Sequence, residues 1–325
     1  MDDKNISSQS SDEVGSSVQS STNINTDINS HKSDTISTQN TMDKPCGCGK
    51  EGCSSCNSEG SKMLPRSYVY AIGKVVHRFP NRSLEMELAQ AIGRRPEGET
   101  KGISHPEVAH KALTDPDNRY VARQICYVLT IEGLETYILV PSDPLDFDRL
   151  AQALRPAPDV GDIDVIIGRR GPMASPEMCN GLVVPIVIVD QIYSFDRDTL
   201  MKAIPKRKEK GTSEDQFKKT GNVLFNHIIQ ITDNAGAIDE HRALNYLAVR
   251  YDEIYHRTQL LQDENYSFTG VEVRPSRLSG TQKIVDVVFS YENRANRAVQ
   301  KWFCRVDVTS EWPFLVSPMQ EYFER

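Results

Sequence analysis

The sequence predicts an α+β fold in which mixed or antiparallel sheets with β-hairpins pack against helices, behind a disordered amino-terminal tail. Predicted strands and helices come in groups, without the steady βαβ alternation of a parallel sheet. The composition, 38% hydrophobic and 26% charged, is that of a globular protein. Residues 1–62 are rich in Ser, Asn and Asp and carry almost no aromatic residue or Leu, so they cannot bury a core. The predicted folded domain is 68–325.

Apolar periodicity and turn residues predict the elements of the first half of this domain. Glu132-Gly133 separates two apolar runs and indicates a hairpin. Gly168-Arg-Arg-Gly-Pro172 is typical of a loop. The predicted elements, in order, are a strand from 68, helices over 83–92 and 106–113, strands over 121–131 and 134–140, a helix over 147–154, and strands over 163–167 and 182–192.

The second half is predicted to hold two long helices and then β-structure. Asn234-Ala-Gly236 separates the two helical patterns. The polar segment 292–296 joins the last two apolar runs as a second hairpin. The predicted elements are helices over 214–233 and 239–262, followed by strands over 270–274, 283–291 and 301–309.

Charge and hydropathy exclude several classes of protein. The formal charge of −7, from 45 acidic and 38 basic residues, argues against a nucleic-acid-binding protein. The longest apolar run, 182–189, contains Pro185 and is far shorter than the roughly 20 residues of a membrane span. No apolar segment of a signal peptide follows Met1. We therefore expect a cytoplasmic protein, in which the seven cysteines are thiols or metal ligands rather than disulfides.

Four cysteines stand close together within 46–56. Cys46, Cys48, Cys53 and Cys56 follow the spacing C-x-C-x4-C-x2-C, and the glycines between them permit tight turns. Four thiolates suit zinc, and less readily an iron–sulfur cluster. A cysteine-rich linker without metal is the alternative, because the second pair lies too close for an ordinary zinc ribbon. Zinc is the expected cofactor.

Common enzyme signatures are absent from the sequence. It has no glycine-rich dinucleotide loop and no Walker-type phosphate loop. Ala237 stands where an inverted zinc-protease helix would need its first histidine. Gly211-Thr-Ser213 copies the nucleophile tripeptide of subtilisin-like proteases, but no matching Asp and His segments accompany it. No protease triad is expected.

Cys179 and His241 are the candidate catalytic residues. Cys179 lies in a loop before an apolar strand, where a cysteine acts as a nucleophile or ligand, or packs as a small apolar side chain. His241 lies on a predicted helix, where a histidine joins a metal site or stays exposed or satisfied. The residues that would complete such a site are His227, His256, Glu177 and Glu240, whereas Cys126 and Cys304 are expected in the core.

Two arginine-containing loops are candidate binding sites. Arg169 and Arg170 are flanked by glycines, which would leave both guanidiniums free for a carboxylate or phosphate. Arg274 and Arg277 precede a turn-rich Ser-Gly-Thr segment. Solvated loops explain such patterns equally simply.

The folded part also resembles a known family. The runs that carry the resemblance are 68–73, 118–124, 132–140, 176–181, 233–236, 239–251 and 270–280. Over 68–325 the chain resembles the carboxy-terminal domain of the cyanobactin maturation proteases of the PatA/PatG type. In those proteases the domain follows a subtilisin-like unit, whereas here a disordered tail is expected before it.

The resemblance implies an accessory role in making ribosomally synthesised, modified peptides, but no mechanism, because this domain is of unknown function. Our first hypothesis is a non-catalytic module that binds a precursor peptide or a peptide-modifying enzyme through a strand edge or groove. The second is a metal-dependent peptide-modifying enzyme that uses Cys179 and His241. The third is a structural domain that forms a homodimer.

Overall fold

The computed structural model describes residues 67–93, 105–205, 213–231 and 233–323, which form helices and two β-sheets. The predicted α+β class is confirmed. The strands are β1 (Tyr68–Arg78), β2 (Cys126–Ile131), β3 (Leu134–Pro141), β4 (Asp162–Met173), β5 (Pro185–Asp196), β6 (Tyr266–Pro275), β7 (Ile284–Asn293), β8 (Val299–Asp307) and β9 (Phe314–Glu321). The helices are α1 (Arg82–Gly93), α2 (Pro106–Leu113), α3 (Arg119–Ala122), α4 (Phe147–Ala153), α5 (Arg197–Ala203), α6 (Glu214–Ile229), α7 (Asp239–Arg250) and α8 (Glu253–Asp263).

The first sheet is a closed barrel with the strand order β1-β2-β3-β5-β4. Only β3 and β5 pair in parallel; the other neighbours are antiparallel. Alternate residues of β1 enter two different apolar clusters, as the period of a strand requires. Val69 and Ala71 pack with the barrel and α1–α4, whereas Tyr70 and Ile72 pack with α6–α8 and the second sheet. Both faces of β1 are therefore buried.

The second sheet is antiparallel, with the order β6-β7-β8-β9. Helices α6, α7 and α8 cover one face, where Phe289 and Val287 of β7 belong to the same apolar core as Leu224 and Leu247. No helix of the described part is long and apolar enough to cross a membrane.

The entry to α7 is fixed against the barrel. Tyr70 N–H donates to the carbonyl of Gly236 (2.8 Å), and the Asn245 amide donates to the carbonyl of Tyr70 (2.8 Å). Gly236 has φ +69°, and a Cβ there would collide with the backbone of Tyr70. Asn234 completes the contact through mutual hydrogen bonds with Asn245. A glycine is thus required where the helix meets β1.

Three predicted elements differ from the structure in type or continuity. The segment 168–172 is part of β4 and not a loop, because Gly168 lets β4 approach the carbonyl of Ile188 too closely for any Cβ. Residues 121 and 122, the predicted start of the strand 121–131, belong to α3, and β2 begins only at Cys126. The predicted helix 239–262 breaks into α7 and α8, since Tyr251 is extended (φ −120°, ψ 94°). The sequence also missed α5 and the edge strand β9.

Candidate functional site

A groove of about 480 Å³ lies between α6 and β6. Its helical wall carries Gln216, Lys219 and Val223, which share one side of α6 because they are three and four residues apart. Ser267 and Phe268 form the strand wall. The remaining lining residues are Thr220, Leu224, Thr258, Gln262 and Arg294.

Local sequence explains how α6 forms this wall. Ser213 caps the helix, with its Oγ accepting from the N–H of Gln216 (3.2 Å), and acidic residues occupy the first turn, where the helix dipole favours them. Leu224, Phe225 and Ile228 are buried against the core. The opposite side of the helix remains exposed and faces the groove.

The middle of the groove is apolar and its rim is polar. The Phe268 ring meets the rings of His227 (5.4 Å) and Tyr291 (5.6 Å) edge-on, which fixes its orientation. At the rim, Arg294 Nε donates to Ser267 Oγ (2.6 Å) and Thr220 Oγ1 donates to Gln262 Oε1 (2.7 Å). An apolar side chain would find a rigid surface here, surrounded by hydrogen-bonding groups.

The groove carries two positive charges. Lys219 and Arg294 are both exposed, and among the described residues no carboxylate forms an ion pair with either. No lining residue is acidic. Asp263 on α8 accepts instead from the amides of Gln216 (3.4 Å) and Gln259 (2.8 Å). The groove is therefore suited to an anionic partner.

The two edges of the second sheet differ in their protection. At the β9 edge, Met319 N–H donates to the hydroxyl of Tyr251 (2.8 Å), and Leu315 N–H donates to that of Tyr246. At the β6 edge, no group in the described ranges bonds the outward backbone of 267–275. The open edge borders the groove.

Cys179 lies in the core and forms a disulfide with Cys126, with 6.0 Å between the Cα atoms. The expectation that these cysteines are thiols is wrong, because the segment after β4 packs against β2 and brings Cys179 onto the strand. Cys304 is free and buried, as expected, and burial raises the pKa of its thiol to about 12. As a disulfide partner, Cys179 offers no thiolate.

We expect proteolysis of the unreduced full-length chain to release one peptide pair that joins Cys126 to Cys179. The two sulfurs are held together by the fold, so the bond should survive native purification without a reductant. Mass spectrometry with and without reduction measures the linkage, and Cys304, which should be alkylated only after unfolding, is the internal control. Free thiols at both positions in non-reduced protein would contradict it.

The predicted histidines and acids do not assemble a metal centre. Among the described residues, no three His, Cys, Asp or Glu side chains lie together as metal ligands. His241 is half-buried at the start of α7, and burial lowers its pKa. His256 is buried beside Phe217 (5.4 Å), whereas Glu177 is exposed. Glu240 is part-buried on α7. The cysteines Cys46, Cys48, Cys53 and Cys56 lie outside the described residues, so zinc binding there stays a prediction.

The four predicted arginines lie at separate places. Arg169 and Arg170 are neighbours on β4 and so point to opposite faces. Arg169 donates to both oxygens of Asp190 (3.2 and 3.3 Å), whereas Arg170 is exposed. Arg274 stacks on Tyr322 (5.1 Å), and Arg277 is exposed. Their part in binding stays a prediction.

Sequence reasoning missed a carboxyl pair between the barrel and the second sheet. Glu311, in the β8–β9 turn, lies near enough to Asp190 of β5 for each carboxyl to shift the pKa of the other. Burial and the neighbouring Asp190 raise the pKa of Glu311 to about 7, although Arg169 and Arg242 oppose the rise. Burial alone would raise the pKa of Asp190, but hydrogen bonds from Glu311, Arg169 and Ser142 lower it. The two pKa values shift in opposite directions, so Glu311 is the carboxyl of the pair that takes up a proton first as the pH falls.

The missed groove residues left a partial signal. The exposed stripe of Lys219, Val223 and His227 has helical spacing and can be seen within the predicted helix 214–233. Phe268 and Arg294 come from distant segments, and nothing in the sequence pairs them with α6.

The five-stranded barrel and the helix-covered antiparallel sheet define the class of the molecule as an α+β domain. Residues 211–322 match the family model described as PatG C-terminal. A solved structure described as "PatG Domain of Unknown Function" has a TM-score of 0.64 and 17% sequence identity, covering 79% of this chain and 98% of that chain. No curated protein matches the chain. The family model supports a PatG C-terminal domain over 211–322, and the structural match supports the same fold, so the resemblance stated from the sequence is confirmed.

Proposed function

We propose that this chain is an accessory, non-catalytic protein of ribosomal peptide (cyanobactin-like) biosynthesis that binds a segment of a precursor peptide in the groove between α6 and β6. The observation that carries the proposal is the β6 edge beside a groove with two cations, where no described residue bonds the outward backbone of the edge or forms an ion pair with Lys219 or Arg294. The groove falls within 211–322, the segment that matches the PatG C-terminal model.

The size and surface of the groove support peptide binding. Its volume of about 480 Å³ is within the range of small-ligand pockets, about 300–1,000 Å³. Val223 and Phe268 offer apolar contact, while the rim offers hydrogen bonds. A peptide matches both features, because its backbone forms hydrogen bonds with polar groups and its side chains pack against apolar ones.

We expect Val223→Trp to weaken binding of the pathway's precursor peptide at least about 10-fold, because the indole would fill the groove. The measurement is isothermal titration calorimetry of the full chain with the synthetic precursor. Val183→Trp is the matched control, since Val183 and Val223 are both 49% exposed but Val183 precedes β5. Equal affinities for the two variants would refute binding in this groove.

A partner modifying enzyme or a second copy of the chain is the second candidate ligand. Trp312 in the β8–β9 turn and Phe314 and Val316 on β9 are 43%, 50% and 43% exposed, and such an apolar strip favours contact with another protein. No described feature favours the enzyme hypothesis, because Cys179 is disulfide-bonded.

A further inference from the structure

Resting on the proposed function, we infer that the peptide binds as an added strand on the first half of β6, and that its recognised segment is acidic and apolar, with carboxylates bound by Lys219 and Arg294. The proposal thus names both a binding mode and a ligand class.

The first argument is the unequal protection of the sheet. Natural proteins cover or interrupt exposed strand edges, because free N–H and C=O groups attract other chains. Edge strand β9 contains Pro318, which has no N–H to donate, and Tyr246 and Tyr251 bond two of its outward amides. The β9 edge of the sheet is therefore protected against pairing with another strand.

Strand β6 has less protection than β9, and most of it lies in the second half of the strand. It has ten residues, which span about 33 Å. The charged residues Glu272 and Arg274 and the terminal Pro275 all lie in the second half. The first half has one irregularity, a register shift between Phe268 and Gly270. An unprotected edge next to a groove is the arrangement that strand-adding peptide domains use.

The second argument is the position of the groove relative to this edge. Ser267 and Phe268 line the groove and also belong to the open half of β6. In an added strand, alternate side chains point to one face, so every second side chain would enter the space between β6 and α6. Val223 and Phe268 would contact an apolar side chain there. The same geometry brings the neighbouring ligand side chains to the rim.

The third argument is charge. Lys219 and Arg294 line the groove without an acidic lining residue. Arg294 keeps its guanidinium available for a carboxylate, because its side-chain bond to Ser267 uses only Nε. A guanidinium binds a planar carboxylate through two parallel bonds, whereas the Lys219 ammonium acts as a point charge. The ligand that satisfies both is an extended peptide with acidic residues beside an apolar one.

The test compares three forms of the synthetic precursor peptide against the full-length chain by calorimetry. The first is the natural peptide, and the second has every Asp and Glu changed to Asn and Gln. The third has one acidic residue of the bound segment changed to Lys. We expect the neutral peptide to bind about 10-fold or more weakly. The Lys peptide should bind Lys219→Glu better than it binds the unchanged chain. Arg123→Glu, an exposed arginine beyond the groove, is the charge control.

Hydrogen exchange separates this inference from the proposed function. We expect the bound natural peptide to protect the amides of 266–271. If the neutral peptide bound equally, or protection fell elsewhere while Val223→Trp still blocked binding, strand addition or acid selection would be wrong and the groove would stand. If no precursor form bound the unchanged chain, both proposals would fail.

Discussion

Arg242→Met is expected to lower the free energy of unfolding by about 3–5 kcal/mol, the loss typical of breaking a buried charged network. The Arg242 side chain is 2% exposed and donates to the carbonyls of Val308 (2.7 Å), Ser310 and Glu311 (3.3 Å). It therefore holds the β8–β9 turn against α7. Methionine fills much of the same volume but donates nothing, so the carbonyls would lose their buried donor.

The surroundings of Arg242 show why the loss should be large. Its guanidinium lies over the Tyr68 ring (5.3 Å), and Asp239 is its carboxylate neighbour (3.4 Å). Burial lowers the pKa of Arg242, which shows that the environment does not solvate its charge well. The carbonyls and Asp239 compensate for that lost solvation. Without the guanidinium, the turn would have to open to water to satisfy its carbonyls.

Urea unfolding of the full chain measures the effect, with Arg250→Met as the control on the same helix. Arg250 is exposed and makes one hydrogen bond, to the Tyr193 hydroxyl (2.7 Å), with its charge over that ring (4.7 Å). Its loss should cost about 1 kcal/mol or less. Similar losses for the two variants would show that Arg242 does not hold the turn.

Local patterns predicted those elements that are stabilised by local chemistry. Helix α2 was predicted at its observed bounds, since Pro106 begins it and its apolar residues have helical spacing. The strand through 168–172 was missed because its Gly and Pro imitate a turn, whereas Gly168 is there for the close approach of Ile188. Strand β9 was missed because Pro318 argues against a strand, except at a sheet edge.

The candidate site could be predicted only in part, because its residues meet through tertiary contacts. Helix α6 was predicted, but its groove exists only where β6 and Arg294 lie beside it. The disulfide joins cysteines 53 residues apart, and no spacing rule connects them. Glu311 and Asp190 were passed over for the same reason: each is an unremarkable acid in its own segment.

Glu311→Gln is expected to remove a pH dependence of stability between about pH 4 and 7. The folded pKa of Glu311 is about 7, above its ordinary value of 4.5. As the pH rises through this window the unfolded chain releases the proton first, so the folded state binds more protons and its stability falls with pH. Below the window both states are protonated and the effect vanishes.

Glutamine reproduces the protonated form of Glu311, because its amide donates to Asp190 and never acquires a charge. At pH 8 the Gln variant should therefore be more stable than the unchanged chain by about 1–2 kcal/mol, a figure reduced for the partial exposure of Glu311. At about pH 4 and below the two chains should be nearly equal. Asp190, whose pKa is lowered, has the opposite effect on the pH dependence of stability. Its contribution to stability is lost only as the pH falls into more acidic solution.

The measurement is the urea midpoint of the full chain at pH 4, 5, 6, 7 and 8, with Glu321→Gln as the control. Glu321 is exposed at the end of β9, so this control makes the same change from carboxyl to amide away from the pair. The difference between Glu311→Gln and the unchanged chain should grow between about pH 4 and 7 and then level off, because Glu311 is ionised in both states above that range. A difference that did not change with pH would show that Asp190 and Glu311 share no proton, and that Arg169 and Arg242 keep both carboxylates charged.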